Sequence, residues 1–240
     1  MNLADYDALS FDCYGTLIDW EAGLSSILSP WARGAGLDLT DEQLLIAYAD
    51  SEERVERENP TALYPTILAE SFRRIGASLG AEVSDEWADT LGASVPSWPA
   101  FPDSPDALAS LAEDYKLIIV SNVHRDGFAG SNRRLGVTFD KIITAEDVGA
   151  YKPAPNHFEA LDAALAELDV PRERLLHVAQ SLHHDHVPAK RYGLASVWIN
   201  RRHDRAGWGA TPEPSEEFSY AMEFPSMAAF AAAARENNPR

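Results

Sequence analysis

Four polar groups stand where short apolar runs of this chain end. Asp12 follows Ala8, Leu9 and Phe11, with Gly15 and Thr16 just beyond it. Ser121 and Asn122 close the apolar run 117–120, and Lys152 is followed at once by Pro153. Gln180, Ser181 and Asp185 follow the run 175–179. A carboxylate, a hydroxyl, an ammonium and a second carboxylate form a nucleophile set. A carboxylate can attack an electrophile and form an ester that water later resolves. A nearby ammonium keeps it ionised, and a second acid can orient or activate the water. Taken alone, Asp12 ahead of Gly15 reads equally well as turn chemistry. The three later polar run-ends favour the chemical reading.

The elements that must position these groups follow from periodicity. The runs 8–11, 116–122, 141–144, 175–179 and 195–199 predict short buried strands. Between the later ones, helical patterns cover 105–114, 126–135, 155–168 and 187–192. This alternation predicts an α/β fold, a Rossmann-like doubly wound parallel sheet. Ligands of such sheets bind at the carboxyl ends of the strands, so all four polar run-ends share one edge. The first strand is followed by something different. Helices are predicted over 17–33, over 41–49 behind a Thr40 cap, over 63–79 and over 84–93, with no strand-like alternation. The charged stretch 51–58 reads as the exposed end of the second of these. The expected organisation is a core from 1–16 and 98–240, with an inserted all-helical block at 17–97 bounded by Pro96, Pro99 and Pro102. Residues 201–218 read as loop and 226–235 as a closing Ala-rich helix.

Composition sets limits. The 240 residues are 45% apolar, enough for a sizeable core, and carry a net charge of -18 with a pI near 4.6. That charge argues against a nucleic-acid or anionic-membrane partner, and it requires the few cations to be concentrated at any site for an anion. The single cysteine excludes an internal disulfide framework and a multi-cysteine zinc site. Cys13 reads as a small buried apolar group or, beside Asp12, as a group near substrate. The first residues lack a basic, then apolar, leader, and no run approaches the ~18 apolar residues of a membrane span. A cytoplasmic protein is expected.

The stretches Phe11 to Asp19, Val120 to Asn122, Tyr151 to Pro155 and the Asp185 segment resemble the four motifs of the haloacid dehalogenase superfamily, over nearly the whole chain. The helical block then corresponds to that family's cap. Phosphatases of the superfamily carry a second Asp two places after the nucleophile and bind magnesium; here that place is Tyr14. The pattern Asp12-x-Tyr14-Gly15-Thr16 is similar to the metal-independent 2-haloacid dehalogenases. The resemblance implies that Asp12 attacks the α-carbon of a small 2-substituted carboxylate. Thr16, Ser121 and Lys152 would hold Asp12, and Asp185 would position the resolving water with support from Ser181. Asn122 and the backbone of Cys13 and Tyr14 would contact substrate. No cofactor or metal is implied, and a homodimer is common among similar enzymes.

Two departures mark a subgroup. Those dehalogenases carry an Arg in the second cap helix, where this chain has the acidic run 50–53; Arg54 lies at another helical phase. Leu182 replaces an Asn in the fourth motif. The altered fourth motif at 181–186, with residues 11–20, 98–103 and 209–211, resembles the branch that contains L-azetidine-2-carboxylate hydrolase, in which a ring amine takes the place of halide. A protonated nitrogen would suit Glu52 in the cap. Trp20, Tyr48 and Trp98 could wall an apolar pocket at the seam, although aromatics are more often plain core. His183, His184 and His186 lack a companion cluster, so a metal site is not expected; His184 could instead orient Asp185. Arg201, Arg202 and His203 could attract a carboxylate or simply follow the last strand. A magnesium phosphatase and a non-catalytic binding protein on the same scaffold remain as alternatives.

Overall fold

The computed structural model describes residues 1–237. Among them the sheet has strands β1 (Ala8–Phe11), β2 (Lys116–Ser121), β3 (Lys141–Thr144), β4 (Leu175–Ala179), β5 (Ala195–Ile199) and β6 (Met222–Phe224), in the order β3-β2-β1-β4-β5-β6. Every neighbouring pair is parallel. β1 is central, with Phe11 in register with Ile119 of β2 and Val178 of β4. All four of its residues are buried, which explains an apolar run without alternation.

Helices cover both faces. Leu9, Phe11, Leu117 and Ile119 belong to an apolar cluster with Leu108 of α5 (Ser104–Leu111), Phe128 of α6 (Arg125–Leu135) and Phe230 of α10 (Met227–Asn237). The alternate residues Ala8, Ile118 and Val120 pack with Phe158 and Leu161 of α8 (Asn156–Glu167) and Ala189 of α9 (Val187–Arg191). A one-turn helix, α7 (Ala145–Val148), follows β3.

Between β1 and β2 the chain forms α1 (Trp20–Gly34), α2 (Asp41–Glu58), α3 (Tyr64–Leu79) and α4 (Asp85–Gly92). Thr40 caps α2 as expected, accepting from the Gln43 N–H while Gln43 Oε1 accepts from the Thr40 N–H. Trp31 of α1 meets Phe72 of α3 edge to face at 5.0 Å. The chain enters and leaves this block side by side. Asp19 N–H donates to Pro99 O at 2.8 Å, Phe101 N–H to Leu17 O at 3.0 Å, and Ile18 bridges Ala100. Trp98 seals the crossing: a Cβ on Gly23 of α1 would lie 2.4 Å from its indole, so only glycine lets the ring lie on the helix backbone.

The structure corrects three expectations. The first helix begins at Trp20 rather than at 17, because residues 12–19 form the loop that carries the site; Asp19 caps the helix by accepting from the Ala22 N–H. The stretch 51–58 is not an exposed end. Ser51, Glu52, Val55 and Glu56 are buried, and only the face with Arg54, Arg57 and Glu58 is exposed. β6 is a three-residue edge strand within a stretch that has no strand periodicity.

Candidate active site

Asp12 leaves β1 at the carboxyl edge of the sheet, and its N–H donates to Val178 O of β4. The loop then turns through Gly15 at φ +93°, a left-handed conformation that glycine tolerates. That turn brings the Thr16 hydroxyl back to donate to Asp12 Oδ2 at 2.7 Å, while Thr16 Oγ1 accepts from the Gln180 N–H at 2.9 Å. Lys152 arrives from the β3–α8 connection. Its ammonium donates to Asp12 Oδ1 at 2.9 Å, Asp185 Oδ1 at 2.8 Å and Val120 O at 3.0 Å, so all three of its protons are engaged. Asn122 fixes the Lys152 backbone from both sides: its Oδ1 accepts from the Lys152 N–H, and its amide donates to Lys152 O. Asp185 is fully buried and also contacts His177 Nε2 at 3.0 Å, and His177 Nδ1 is 2.8 Å from Ser10 Oγ. The structure thus brings together Asp12 and Thr16 from the loop after β1, Ser121 from the end of β2, Lys152 from the β3–α8 connection and Asp185 from the segment after β4.

The charges are arranged unevenly. Burial works against the Lys152 ammonium, but the two flanking carboxylates hold it at about 12. Burial also works against Asp185, and the Lys152 and His177 contacts outweigh it, keeping that carboxyl below the usual range. Burial raises Asp12 from its ordinary value, with the like charge of Asp185 adding to the effect; Lys152 and Thr16 oppose it. Asp12 is therefore paired yet more basic than an exposed aspartate, which suits a nucleophile. Two atoms at this centre are buried with no hydrogen-bond partner: Ser121 Oγ and Asp185 Oδ2. An unspent hydroxyl in a cleft wall can meet a ligand oxygen, and an unspent carboxylate oxygen can hold a water.

Asp12 opens into a narrow cleft whose empty space, open solvent included, is about 450 Å³. From the core it is lined by Tyr14, Ser121, Asn122, Val123, Lys152, Gln180, Ser181, His184 and Thr211; from the helical block, by Trp20, Glu52, Glu56 and Tyr64. Lys152 is the single Lys or Arg among these residues. His184 lies near 3 because burial and then His183 disfavour its charged form. Glu52 Oε1 accepts from the hydroxyls of Tyr48 and Tyr64, at 2.6 and 2.7 Å. Burial pushes Glu52 up to about 7, against those two hydrogen bonds. Burial and the like charge of Glu52 push Glu56 well above the carboxylate range.

Several expected site residues lie elsewhere. Cys13 is fully buried and does not reach the cleft, and burial raises its thiol, so it packs as a small apolar group. Trp98 is also outside the cleft. It supports the lining from behind, edge to face with Tyr14 at 5.6 Å, and its Nε1–H donates to Ser94 Oγ. Tyr48 holds Glu52 rather than walling the pocket. His184 contacts Ser181 Oγ, not Asp185, whose imidazole partner is His177. Arg201 and Arg202 are spent on Asp103 and on Glu21 with Glu42.

A family model for haloacid dehalogenase-like hydrolases matches residues 6–184, well over half of the chain. The chain belongs to this family. An (S)-2-haloacid dehalogenase of Pseudomonas putida is 24% identical to the hydrolase over 204 residues, covering 83% of this chain and 87% of that one. The L-2-haloacid dehalogenase structure from Xanthobacter autotrophicus superimposes with a TM-score of 0.76 at 19% identity, covering 96% and 99% of the two chains. A structure of that enzyme with chloropropionic acid covalently bound gives 0.72 at 19% identity, covering 96% and 98%. A haloacid dehalogenase-like hydrolase of Bacillus subtilis bound to magnesium gives 0.73 at 18%, covering 96% and 99%.

The same fold therefore occurs with magnesium, and the donors of this hydrolase do not fit that ion. Position 14 holds a tyrosine whose hydroxyl bonds Ser131. Asp185 and Asp12 are bridged by an ammonium, where a cation would be repelled. No group of three or more His, Cys, Asp or Glu side chains suited to a metal occurs among the described residues. No described helix is long and apolar enough to cross a membrane.

Reading the sequence missed Glu56, Tyr64, Val123 and Thr211 as lining residues. For Glu56 a signal existed: Tyr48, Glu52, Val55 and Glu56 fall on one helical face, the spacing of a buried stripe. Nothing local marks Val123, and Thr211 is marked only within the stretch 209–211, without a place in the cleft.

Proposed function

We propose that this hydrolase displaces a leaving group from the α-carbon of a small 2-substituted carboxylate through an ester on Asp12. The observation that carries this reading is the Asp12 carboxylate at the cleft floor, with one oxygen on Lys152, the other on Thr16, and no second acid at position 14. Ser121 Oγ has a free valence for the substrate carboxylate. Asp12 attacks, the leaving group departs into the cleft, and water held near the free oxygen of Asp185 resolves the ester. The helical block acts as the cap that closes over the substrate, as in the family. The halide reading follows the relatives, which are 2-haloacid dehalogenases.

A second reading, opening of a ring amine such as L-azetidine-2-carboxylate, is favoured by the leaving-group side of the cleft. The block supplies two carboxyl groups there and no cation, and Arg54 points away into solvent. A halide leaving as an anion gains nothing from such a wall; a nitrogen does.

The test is hydrolysis in EDTA of L-2-chloropropionate and L-azetidine-2-carboxylate, with a single turnover in ¹⁸O-water. The expected result is turnover of at least one substrate, with the label in Asp12 and not in the first product, and no turnover by Asp12→Asn. Label appearing directly in the product, or activity surviving Asp12→Asn, would sink the ester mechanism.

A further inference from the structure

Glu56 is buried, with 7% of its surface exposed, and lines the cleft from α2. Among the described residues no donor hydrogen-bonds its carboxyl. Its oxygens are not among the sealed, unpartnered atoms of the interior, so the carboxyl is open to the cleft that it lines. Its neighbour Glu52 is the opposite case, spent on two tyrosine hydroxyls. A second cleft, on the other side of Glu56, is lined by Glu53, Arg57, Tyr151, Lys152, His183 and His184. Glu56 therefore stands across the site from the nucleophile, close enough to Lys152 to feel its charge, and holds an unused polar end toward the space a leaving group must enter.

We propose that Glu56 is a catalytic acid that gives its proton to a basic nitrogen leaving from the substrate α-carbon. The substrate class is then a 2-carboxylate whose α-carbon–nitrogen bond lies in a strained ring. The proposal rests on the Asp12 ester reading and adds the second reactive group. An Asp12 oxygen bonds to the α-carbon while the carbon–nitrogen bond breaks. The ring nitrogen enters as the neutral amine, keeps that electron pair and takes the proton of Glu56, so it leaves as a neutral primary amine beside the Glu56 carboxylate. Water then adds to Asp12 Cγ and the bond from Cγ to the product oxygen breaks. One water proton goes to the product hydroxyl and the other returns to Glu56. Glu52, fixed by its tyrosines, adds negative charge to the same wall and holds the nitrogen in place. Burial suits Glu56 to the task, because it pushes the carboxyl well above its ordinary value, and the charge of Glu52 adds to that push. Glu52, Lys152 and Glu53 act on it through charge, and the other titratable or charged groups lining the two clefts with it include Arg57 on its own helix, Tyr64 on α3, and Asp12, Tyr14, Tyr151, His183 and His184 on the core.

The experiment compares wild type, Glu56→Gln and Glu56→Asp on L-azetidine-2-carboxylate and L-2-chloropropionate across pH, with folding checked by circular dichroism. Glu56→Gln should lower kcat on the ring substrate about 10²–10⁴-fold, the usual worth of a positioned acid, and remove the alkaline fall of the wild-type profile. Glu56→Asp should restore part of the rate. The loss on chloropropionate should be much smaller, since chloride needs no proton. A folded Glu56→Gln with unchanged kcat and pH profile on the ring substrate overturns the proposal. So does a wild type that turns over chloropropionate through Asp12 and never the ring; in that case the ester reading stands. A wild type that labels Asp12 with neither substrate removes both. If Glu56→Gln does not fold, Glu56→Asp and the wild-type alkaline limb decide: full activity of the former with no such limb in the latter overturns the assignment.

Discussion

Two sets of carboxyl groups face one cleft, and the protein treats them in opposite ways. In the core, Asp12 and Asp185 share the Lys152 ammonium and have further donors in Thr16 and His177. In the helical block, Glu52 and Glu56 lie near each other with no cation in hydrogen-bond reach, and burial pushes both upward. In the core set Lys152 opposes burial, fully at Asp185 and in part at Asp12, whereas in the block set burial acts with no cation bonded to either carboxyl. Environments that push titratable groups apart in this way are the usual physical basis for dividing acid and base roles.

The largest expected break of this contrast is Lys152→Met. It leaves two buried carboxyls facing each other without a cation and should cost about 3–5 kcal/mol of stability at pH 7, together with all ester formation. Part of that stability should return as the pH falls and the carboxyls take protons. Urea denaturation at pH 7 and pH 4.5 measures it, and a loss under about 1 kcal/mol at pH 7 would mean that the trio is not held together by charge.

Glu52→Gln sharpens the other side. Glu52 lies near 7 in the fold, above an unfolded carboxyl near 4.5. The stability this gives is complete below the unfolded value and is lost as the pH rises toward 7. The glutamine keeps the oxygen that accepts from Tyr48 and Tyr64 but does not titrate. The variant should gain on wild type between pH 5 and pH 8 by up to about 3 kcal/mol, from 1.36 kcal/mol per pKa unit. Thermal unfolding at the two pH values reads the difference; a gap that does not change with pH counts against a titrating Glu52. The smallest effect belongs to the seam between the two regions. The Tyr151 hydroxyl donates to Ala62 O at 2.6 Å, joining core to block. Tyr151→Phe should cost about 0.5–1.5 kcal/mol and raise KM more than it lowers kcat; a loss of kcat alone would place Tyr151 in the chemistry.

The same contrast explains what could be read from the sequence. Asp12, Ser121, Lys152 and Asp185 stand at the ends of apolar runs, and a parallel sheet brings such ends to one edge whatever the rest of the chain does. The sheet and helical order were legible for the same reason, because burial on both faces writes unbroken apolar runs. Glu56 was not read, because the charges around Val55 look like a solvated face, and its helical phase with Tyr48, Glu52 and Val55 is a weak signal until packing shows that face turned inward. Cys13 and Trp98 show the converse limit. Both sit beside the site in sequence or at the seam, yet the loop geometry turns Cys13 into the core and lays Trp98 on Gly23. β6 was missed because an edge strand of three residues carries too few positions to show a period.

The paired backbone segments Leu17–Asp19 and Pro99–Phe101 carry a last implication. The backbone of the helical insertion enters and leaves through one small knot of adjacent peptide bonds, and its other ties to the core include the Tyr151 hydroxyl on Ala62 O and Arg202 on Glu21 and Glu42. A gene could exchange that insertion as a cassette, changing the wall that faces Asp12, without rethreading the sheet that carries Asp12, Ser121 and Asp185. Directed evolution for a new leaving group would do best to recombine there.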